Sequence, residues 1–220
     1  NKWIALGAKI NRLNKILLLL GKEEYLVNQI QQTLNDNKKV VIILDSTFES
    51  ILQNVMDFEK TVLINDTPLD SNQFKHLNMK TLIKEIIHNI FSGDGKKNAI
   101  NFFAINNKTF NEAYNHLMDE VDNFPELDLS FIDQLKQHFN DALEISGRSF
   151  SIKKNDNDGL YEKVALNKID KPIATYQFNN QTDKNIIILT RSGSTGLSLH
   201  AYNQFKDQRV RKMFEPEITP

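Results

Sequence analysis

The chain contains no cysteine, which excludes a disulfide framework and a thiolate-bound metal and fits a reducing compartment. An excess of charge of one sign is lacking too: 27 Lys and Arg stand against 28 Asp and Glu, a net charge of −1. Without a global basic field, any binding of a polyanion must rest on a local patch or on a further domain. Long hydrophobic runs are also missing. The longest, Ile16 to Leu20, falls far short of the roughly 20 residues that cross a bilayer, and no signal-peptide cleavage pattern accompanies it. His76, His88, His116 and His138 are scattered along the chain, and no metal site is expected among them. Glu23-Glu24 and Asp119-Glu120 are adjacent on helices, point apart, and make poor acid/base pairs. The chain opens at Asn1 and stops at Pro216-Glu-Ile-Thr-Pro220 without a terminal element, and so reads as a piece of something longer.

Apolar periodicity organises what is present. Trp3, Leu6, Ile10, Leu13, Leu17 and Leu20 alternate three and four apart, which predicts an amphipathic helix over 2–20 that packs on its own domain or dimerises. A second helix is expected over 22–35. Lys39 to Leu44 is apolar from Val40 onward without alternation, the pattern of a strand covered on both faces in a parallel sheet. Asp45-Ser46-Thr47 follows, and Ser46 or Thr47 can cap a helix over 48–58. Residues 59–140 break this rhythm and read as a mostly helical insertion, with helices near 79–91, 109–121 and 130–140, a loop at 94–98 and a short strand at 99–105. Rhythm resumes with a strand at 142–145 closed by Ser146-Gly147-Arg148, an exposed turn at 153–159, a helix over 172–180, and strands over 186–189 and 208–214.

The most telling stretch is Asn185 to Ala201. Ile186 to Leu189 form a buried strand that runs into a polar loop punctuated by Gly193 and Gly196 and carrying Ser192, Ser194, Thr195 and Ser198. Glycines free the backbone, and hydroxyls beside exposed N–H groups suit a phosphate at the carboxyl end of a parallel strand. Arg148, on a Gly-Arg turn, can aim a guanidinium at phosphate or form a surface ion pair. Lys206, Arg209, Arg211 and Lys212 read as a solvated edge or a phosphate-facing patch, and His200 as a partly buried residue at a helix start.

Three segments taken in order, Val40-Val-Ile-Ile-Leu-Asp-Ser-Thr47, Glu144-Ile-Ser-Gly-Arg148 and Ile188 to Ala201 with its Gly-Leu-Ser-Leu-His-Ala string, resemble the second RecA-like lobe of superfamily-two helicases, and most closely the strawberry-notch-like family. Phe124 to Asp133 resembles a Pro-x-Ser-Pro-Ile-Asp segment of viral and bacterial relatives, with Phe131 where proline is usual, and Arg209 to Lys212 is similar to a basic segment that follows the Ser-rich motif. The resemblance implies an α/β fold, a RecA-like three-layer domain with a mainly parallel central sheet and a mostly helical insertion. It divides the chain into a first part of the lobe (1–58), the insertion (59–140), and a second part (141–220) that stops before motif VI. It further implies that Ser46, Thr47, Gly147, Arg148 and Thr190 touch nucleic-acid backbone, DNA or RNA. Gly193, Ser194, Thr195, Gly196 and Ser198 would sense nucleotide in a motif V-like loop.

The chain departs from the family in lacking the Gly-x-x-x-x-Gly-Lys-Ser/Thr loop (Walker A), the Asp-Glu-x-His/Asp strand (Walker B) and motif VI. Without them the phosphates, magnesium and arginine finger have no holder. ATP with Mg2+ is therefore expected only in a complete two-lobe protein, whose first RecA-like lobe lies in the same polypeptide or a partner chain. Alone, this chain is expected to be inactive as an ATPase, in a cytoplasmic or nucleoid-associated setting or in a virion. Two rival readings stand beside this one: a degenerate RecA-like structural or interaction module of a virion or regulatory complex, and a generic nucleotide-binding α/β enzyme. Heavy use of Asn, Lys and Ile fits an AT-rich genome.

Overall fold

The computed structural model describes residues 11, 14–15, 17–19, 21–45, 47, 49, 52–53, 56, 73–74, 78–92, 108–124, 130–155, 157 and 159–217. They fall in two compact units. The sheet unit comprises Leu18–Glu49, Ser130–Lys154 and Glu162–Pro220; the helical unit comprises Asn1–Leu17, Ser50–Leu129 and Asn155–Tyr161. The strands used below are β1 (Lys39–Leu44), β2 (Leu143–Ile145), β3 (Phe150–Lys154), β4 (Tyr161–Ala165), β5 (Ile186–Thr190) and β6 (Arg211–Phe214). The longer helices are α1 (Glu23–Asn35), α2 (Met79–Ser92), α3 (Lys108–Asp122), α4 (Phe131–His138) and α5 (Lys171–Asn180).

The centre of the sheet unit is a four-stranded sheet in the order β2-β5-β1-β6, parallel at every pairing. Val40 faces Ile186 and Leu44 faces Thr190 in register. Because successive side chains alternate, Val40, Ile42, Leu44, Ile186 and Ile188 pack on one face with Leu26 and Ile30 of α1 and Phe131, Ile132 and Leu135 of α4. Val41, Ile187 and Leu189 pack on the other with Ala174 and Phe178 of α5, flanked by Leu197 and Leu199. This makes three layers of mixed α/β structure. Each fully buried Ile or Leu contributes about 1.5–3 kcal/mol, which explains why β1 is apolar from Val40 to Leu44 and β5 from Ile186 to Leu189.

The distribution of helices over the two faces follows from chain direction. From β1 the chain crosses the sheet two places to reach β2 and returns through α4; from β2 it steps one place back to β5 through α5. Parallel crossovers keep one hand, so opposite directions of travel put their helices on opposite faces. Local signals set the boundaries. Asn37 adopts φ 56°, and N–H groups of Asn37 and Lys38 donate to the carbonyls of Leu34 and Thr33, the double closure that ends a helix with a left-handed residue. Ser130 caps α4 by accepting from the Asp133 N–H at 3.3 Å.

β3 and β4 are sheet neighbours, with the Leu166 N–H donating to the Ser149 carbonyl at the base of the hairpin and the Lys163 ammonium 4.3 Å from the Phe150 ring centroid. The sequence pattern predicts only the turn here. In the helical unit, Asn78 caps α2 through the Thr81 N–H at 2.8 Å, and Lys84 of α2 pairs with Asp122 of α3 at 2.6 Å. Leu82, Ile83, Ile87 and Val121 are buried there.

The two units differ from the expected division at 58/59 and 140/141. Residues 130–140, expected in the insertion, belong to the sheet unit, because Phe131, Ile132 and Leu135 cover the sheet. β6 begins at Arg211, three residues after the expected start. Most of the 2–20 helix, the 94–98 loop, the 99–105 strand and Ser46 lie outside the described residues. Residues 11, 14–15 and 17–19 of the first, and 49, 52–53 and 56 of the 48–58 helix, are helical.

Candidate functional site

Parallel sheets bind ligands outside the carboxyl ends of their strands, at the crevice between neighbours whose outgoing connections go to opposite faces. Here that crevice lies between β1 and β5. The chain leaving β1 comes back to the sheet as α4 on the first face, while Leu197 and Leu199, after β5, pack on the second. With β2 on the far side of β5, the segments after β1, β5 and β2 stand side by side along one edge. The structure thus brings together segments far apart in sequence, as the Asp45–Arg191 pair alone shows with a separation of 146.

The crevice is bridged by charge. Arg191 Nε donates to Asp45 Oδ1 at 2.6 Å, and its Nη2 lies 3.6 Å from Glu215 Oε2. The Asp45 N–H donates to Glu217 Oε2, and Glu217 is buried. Thr190 caps the single helical turn Arg191–Ser194, its Oγ1 accepting from the Gly193 N–H at 3.3 Å. Gly193 is needed for packing: a Cβ there would sit 2.6 Å from the Ile145 carbonyl oxygen of β2. Gly196 has φ +75° with open space around it, a left-handed turn that suits glycine. On either side of it, Thr195 and Ser198 are both exposed. The Thr195 carbonyl accepts from Lys171 Nζ at 2.6 Å, and Ser198 Oγ lies 3.2 Å from His200 Nδ1. Ser194 Oγ donates back to the Arg191 carbonyl at 2.8 Å.

Two of the side chains expected at nucleic acid are engaged within the chain. Arg148 is 3% exposed. Its Nε and Nη2 donate to the two Glu144 carboxylate oxygens at 2.6 and 2.9 Å, and Nη2 lies 2.8 Å from Asp133 Oδ1. A guanidinium held by two carboxylates joins α4 to the turn after β2 and is not aimed at a phosphate. Burial would raise the Glu144 carboxyl, but the hydrogen bond and charge of Arg148, with help from the Ser146 hydroxyl and Lys136, outweigh it and hold the group down to about 2. Burial likewise opposes the Arg148 charge, and Glu144 and Asp133 more than compensate, pushing its pKa up. Thr190 is the second: its side chain is buried and serves as a helix cap. Gly147 has open space about it, and Thr47 is half-buried.

The opposite, amino-terminal edge holds a charged cluster that sequence reasoning missed. Lys39, the first residue of β1, is fully buried, its ammonium 2.9 Å from Asp207 Oδ2. It also donates to the carbonyls of Phe178 and Gln181, the latter at 2.9 Å, so it satisfies carbonyls at the end of α5, where a cation is favoured. Asp207 additionally accepts from Arg209 Nη2 at 2.6 Å. Burial would raise the Asp207 carboxyl, yet Arg209 and Lys39 hold it well below the usual range; burial dominates at Lys39 and lowers its pKa. Arg209 and Arg211 therefore serve this cluster and not a solvated edge, since Arg211 Nη2 donates to the Asp207 carbonyl at 2.7 Å. The only sequence signal is charge at the strand start matched by Asp207-Gln-Arg209.

As a nucleotide site the carboxyl edge offers hydroxyl and N–H donors at 194–198, while the arginine of its Gly-Arg turn is spent on two carboxylates. Among the described residues, no group of three or more His, Cys, Asp or Glu is placed to hold a metal ion. These residues do not fit a complete Mg2+–ATP site, so no chemical step is assigned to nucleotide on this chain. No helix among the described residues is long and apolar enough to cross a membrane. Comparisons with protein-family models, with curated proteins and with solved structures find no match to this chain.

Proposed function

We propose that the sheet unit is the second motor lobe of a nucleic-acid-dependent ATPase or helicase-like protein. In this reading its carboxyl edge contacts the backbone of DNA or RNA and is coupled to ATP held by a first RecA-like lobe, in the same polypeptide or a partner chain. One observation carries the reading: the segments after β1, β2 and β5 meet on one edge, at the crevice where an open parallel sheet binds ligands. Thr195, Gly196 and Ser198 supply the donors, and Gly147 leaves room for close approach of a backbone. Arg191, bridging the crevice through an exposed ion pair worth no more than about 1 kcal/mol, can exchange Asp45 for an incoming phosphate at small cost. The test is ATP hydrolysis by the polypeptide that contains both lobes, measured with and without oligonucleotide. Stimulation that is lost in Thr195→Ala and Ser198→Ala supports the motor; hydrolysis indifferent to nucleic acid refutes it.

A second reading, a degenerate RecA-like structural or interaction module of a virion or regulatory complex, is favoured by a different observation. Arg148 and Arg191 are both neutralised by carboxylates within the chain. Under that reading the same two alanine variants leave every activity of the complete protein unchanged.

A further inference from the structure

Beside the crevice, in the sheet unit, a cleft of about 260 Å3 opens between the turn after β2 and the segment leading into α5. Its charged lining is Lys136, Arg148, Lys168 and Lys171 against Glu144 and Asp170, four cations to two carboxylates. Lys136 and Arg148 are committed, since both bind Glu144 and Arg148 also binds Asp133. With Asp133 counted, Lys136 and Arg148 are balanced by Glu144 and Asp133, and the net surplus of one positive charge lies on Lys168 and Lys171 against Asp170. Each has a single hydrogen bond to a backbone carbonyl: Lys168 Nζ to Gly147 O at 3.3 Å and Lys171 Nζ to Thr195 O at 2.6 Å, both at the surface. An ammonium has three donors, so each keeps capacity for an anion while anchored to one of the two loops of the carboxyl edge.

Size and lining narrow the ligand. The volume is below the roughly 300–1,000 Å3 of sites that enclose a whole drug-sized molecule, and no aromatic ring lines the cleft to stack a base. One phosphate with part of its sugar is the unit that fits. We infer that this cleft is a phosphodiester subsite, in which Lys168 and Lys171 clasp one backbone phosphate of a nucleic-acid strand between Gly147 and Thr195. The inference rests on the nucleic-acid reading above and deepens it, replacing buried Arg148 by two lysines that the sequence-based site did not include. Lysine acts here as a point charge, without the bidentate geometry of arginine, so the subsite selects for backbone and not for base.

The experiment is fluorescence anisotropy of the 220-residue chain with labelled oligothymidine and oligouridine of about 16 nucleotides, over a range of salt concentrations. Lys168→Ala/Lys171→Ala is expected to weaken binding roughly tenfold and to flatten the slope of log K against log salt by about 0.7 for each phosphate that is no longer neutralised. Lys168→Arg/Lys171→Arg keeps both near wild type, and circular dichroism checks that the alanine variant is folded. Added inorganic phosphate separates a backbone site from a free-phosphate site: oligonucleotide binding that persists in excess phosphate sustains the inference, and displacement at low phosphate overturns it. Wild-type binding that the alanine pair leaves unchanged overturns it while sparing the motor reading. Lysine-dependent binding without nucleic-acid-stimulated hydrolysis in the two-lobe protein sustains the subsite and overturns the motor.

Discussion

Replacing Asp207 with alanine is expected to destabilise the sheet unit by breaking a buried ion pair at its amino-terminal edge. The Lys39 ammonium has a side-chain exposure of 0% and Asp207 of 2%, so removing the carboxylate strands a charge that water cannot reach. Breaking a buried pair from one side costs about 3–5 kcal/mol, a large share of the roughly 5–15 kcal/mol that holds a domain together. Lys39→Met is expected to cost less, about 1–3 kcal/mol. In that variant Asp207 keeps Arg209, and only the carbonyls of Phe178 and Gln181 lose their donor. Once the lysine is gone, the carboxylate has less to neutralise. The double variant should therefore cost less than the sum of the singles, by at least about 1 kcal/mol. Hydrogen exchange of the β5 amides reports the sheet unit directly, and a loss of about 4 kcal/mol accelerates exchange by global opening about a thousandfold. A loss under about 1 kcal/mol for Asp207→Ala, or strictly additive singles, would refute the reasoning.

Glu144 gives a pH prediction. Its folded pKa is depressed to about 2 from 4.5, so its contribution is complete above pH 4.5 and is lost as pH falls toward 2; the shift corresponds to about 3 kcal/mol. Acid denaturation of Glu144→Gln should lack that component, which urea titrations across this window would measure. Gly193→Ala drives a methyl toward the Ile145 carbonyl at 2.6 Å and should cost about 1–3 kcal/mol, read as a lower thermal midpoint; an unchanged midpoint contradicts the close approach. Arg148→Ala strands Glu144 and Asp133 and should lower stability by about 3–5 kcal/mol, whereas a surface phosphate contact would leave stability untouched and change only oligonucleotide binding.

Much of the architecture was legible because β1 and β5 are buried on both faces and their apolar runs admit few other readings. Helices α1 to α5 were legible from spacing and from caps such as Ser130. The hairpin of β3 and β4 was not, because Lys153, Lys154, Glu162 and Lys163 give it the charge of an exposed loop while only Phe150, Ser151, Ile152 and Tyr161 are buried. At the site, sequence order brings the expected residues to one edge, but local pattern does not show which of their side chains are engaged within the chain. Arg148 turns inward because Glu144, four residues before it, and Asp133 on α4 converge on it, and the second of these is a tertiary contact no local pattern encodes. Lys168 and Lys171 carry no pattern that separates them from ordinary charge before a helix.

The proposed function requires the carboxyl edge of the sheet unit to be the working face. Hydrogen exchange of the 220-residue chain with and without oligothymidine tests it most directly. Protection is predicted at 146–149, 166–171 and 190–198, with no change around Lys39 and Asp207. Protection confined to that amino-terminal edge, or to the helical unit, would contradict it.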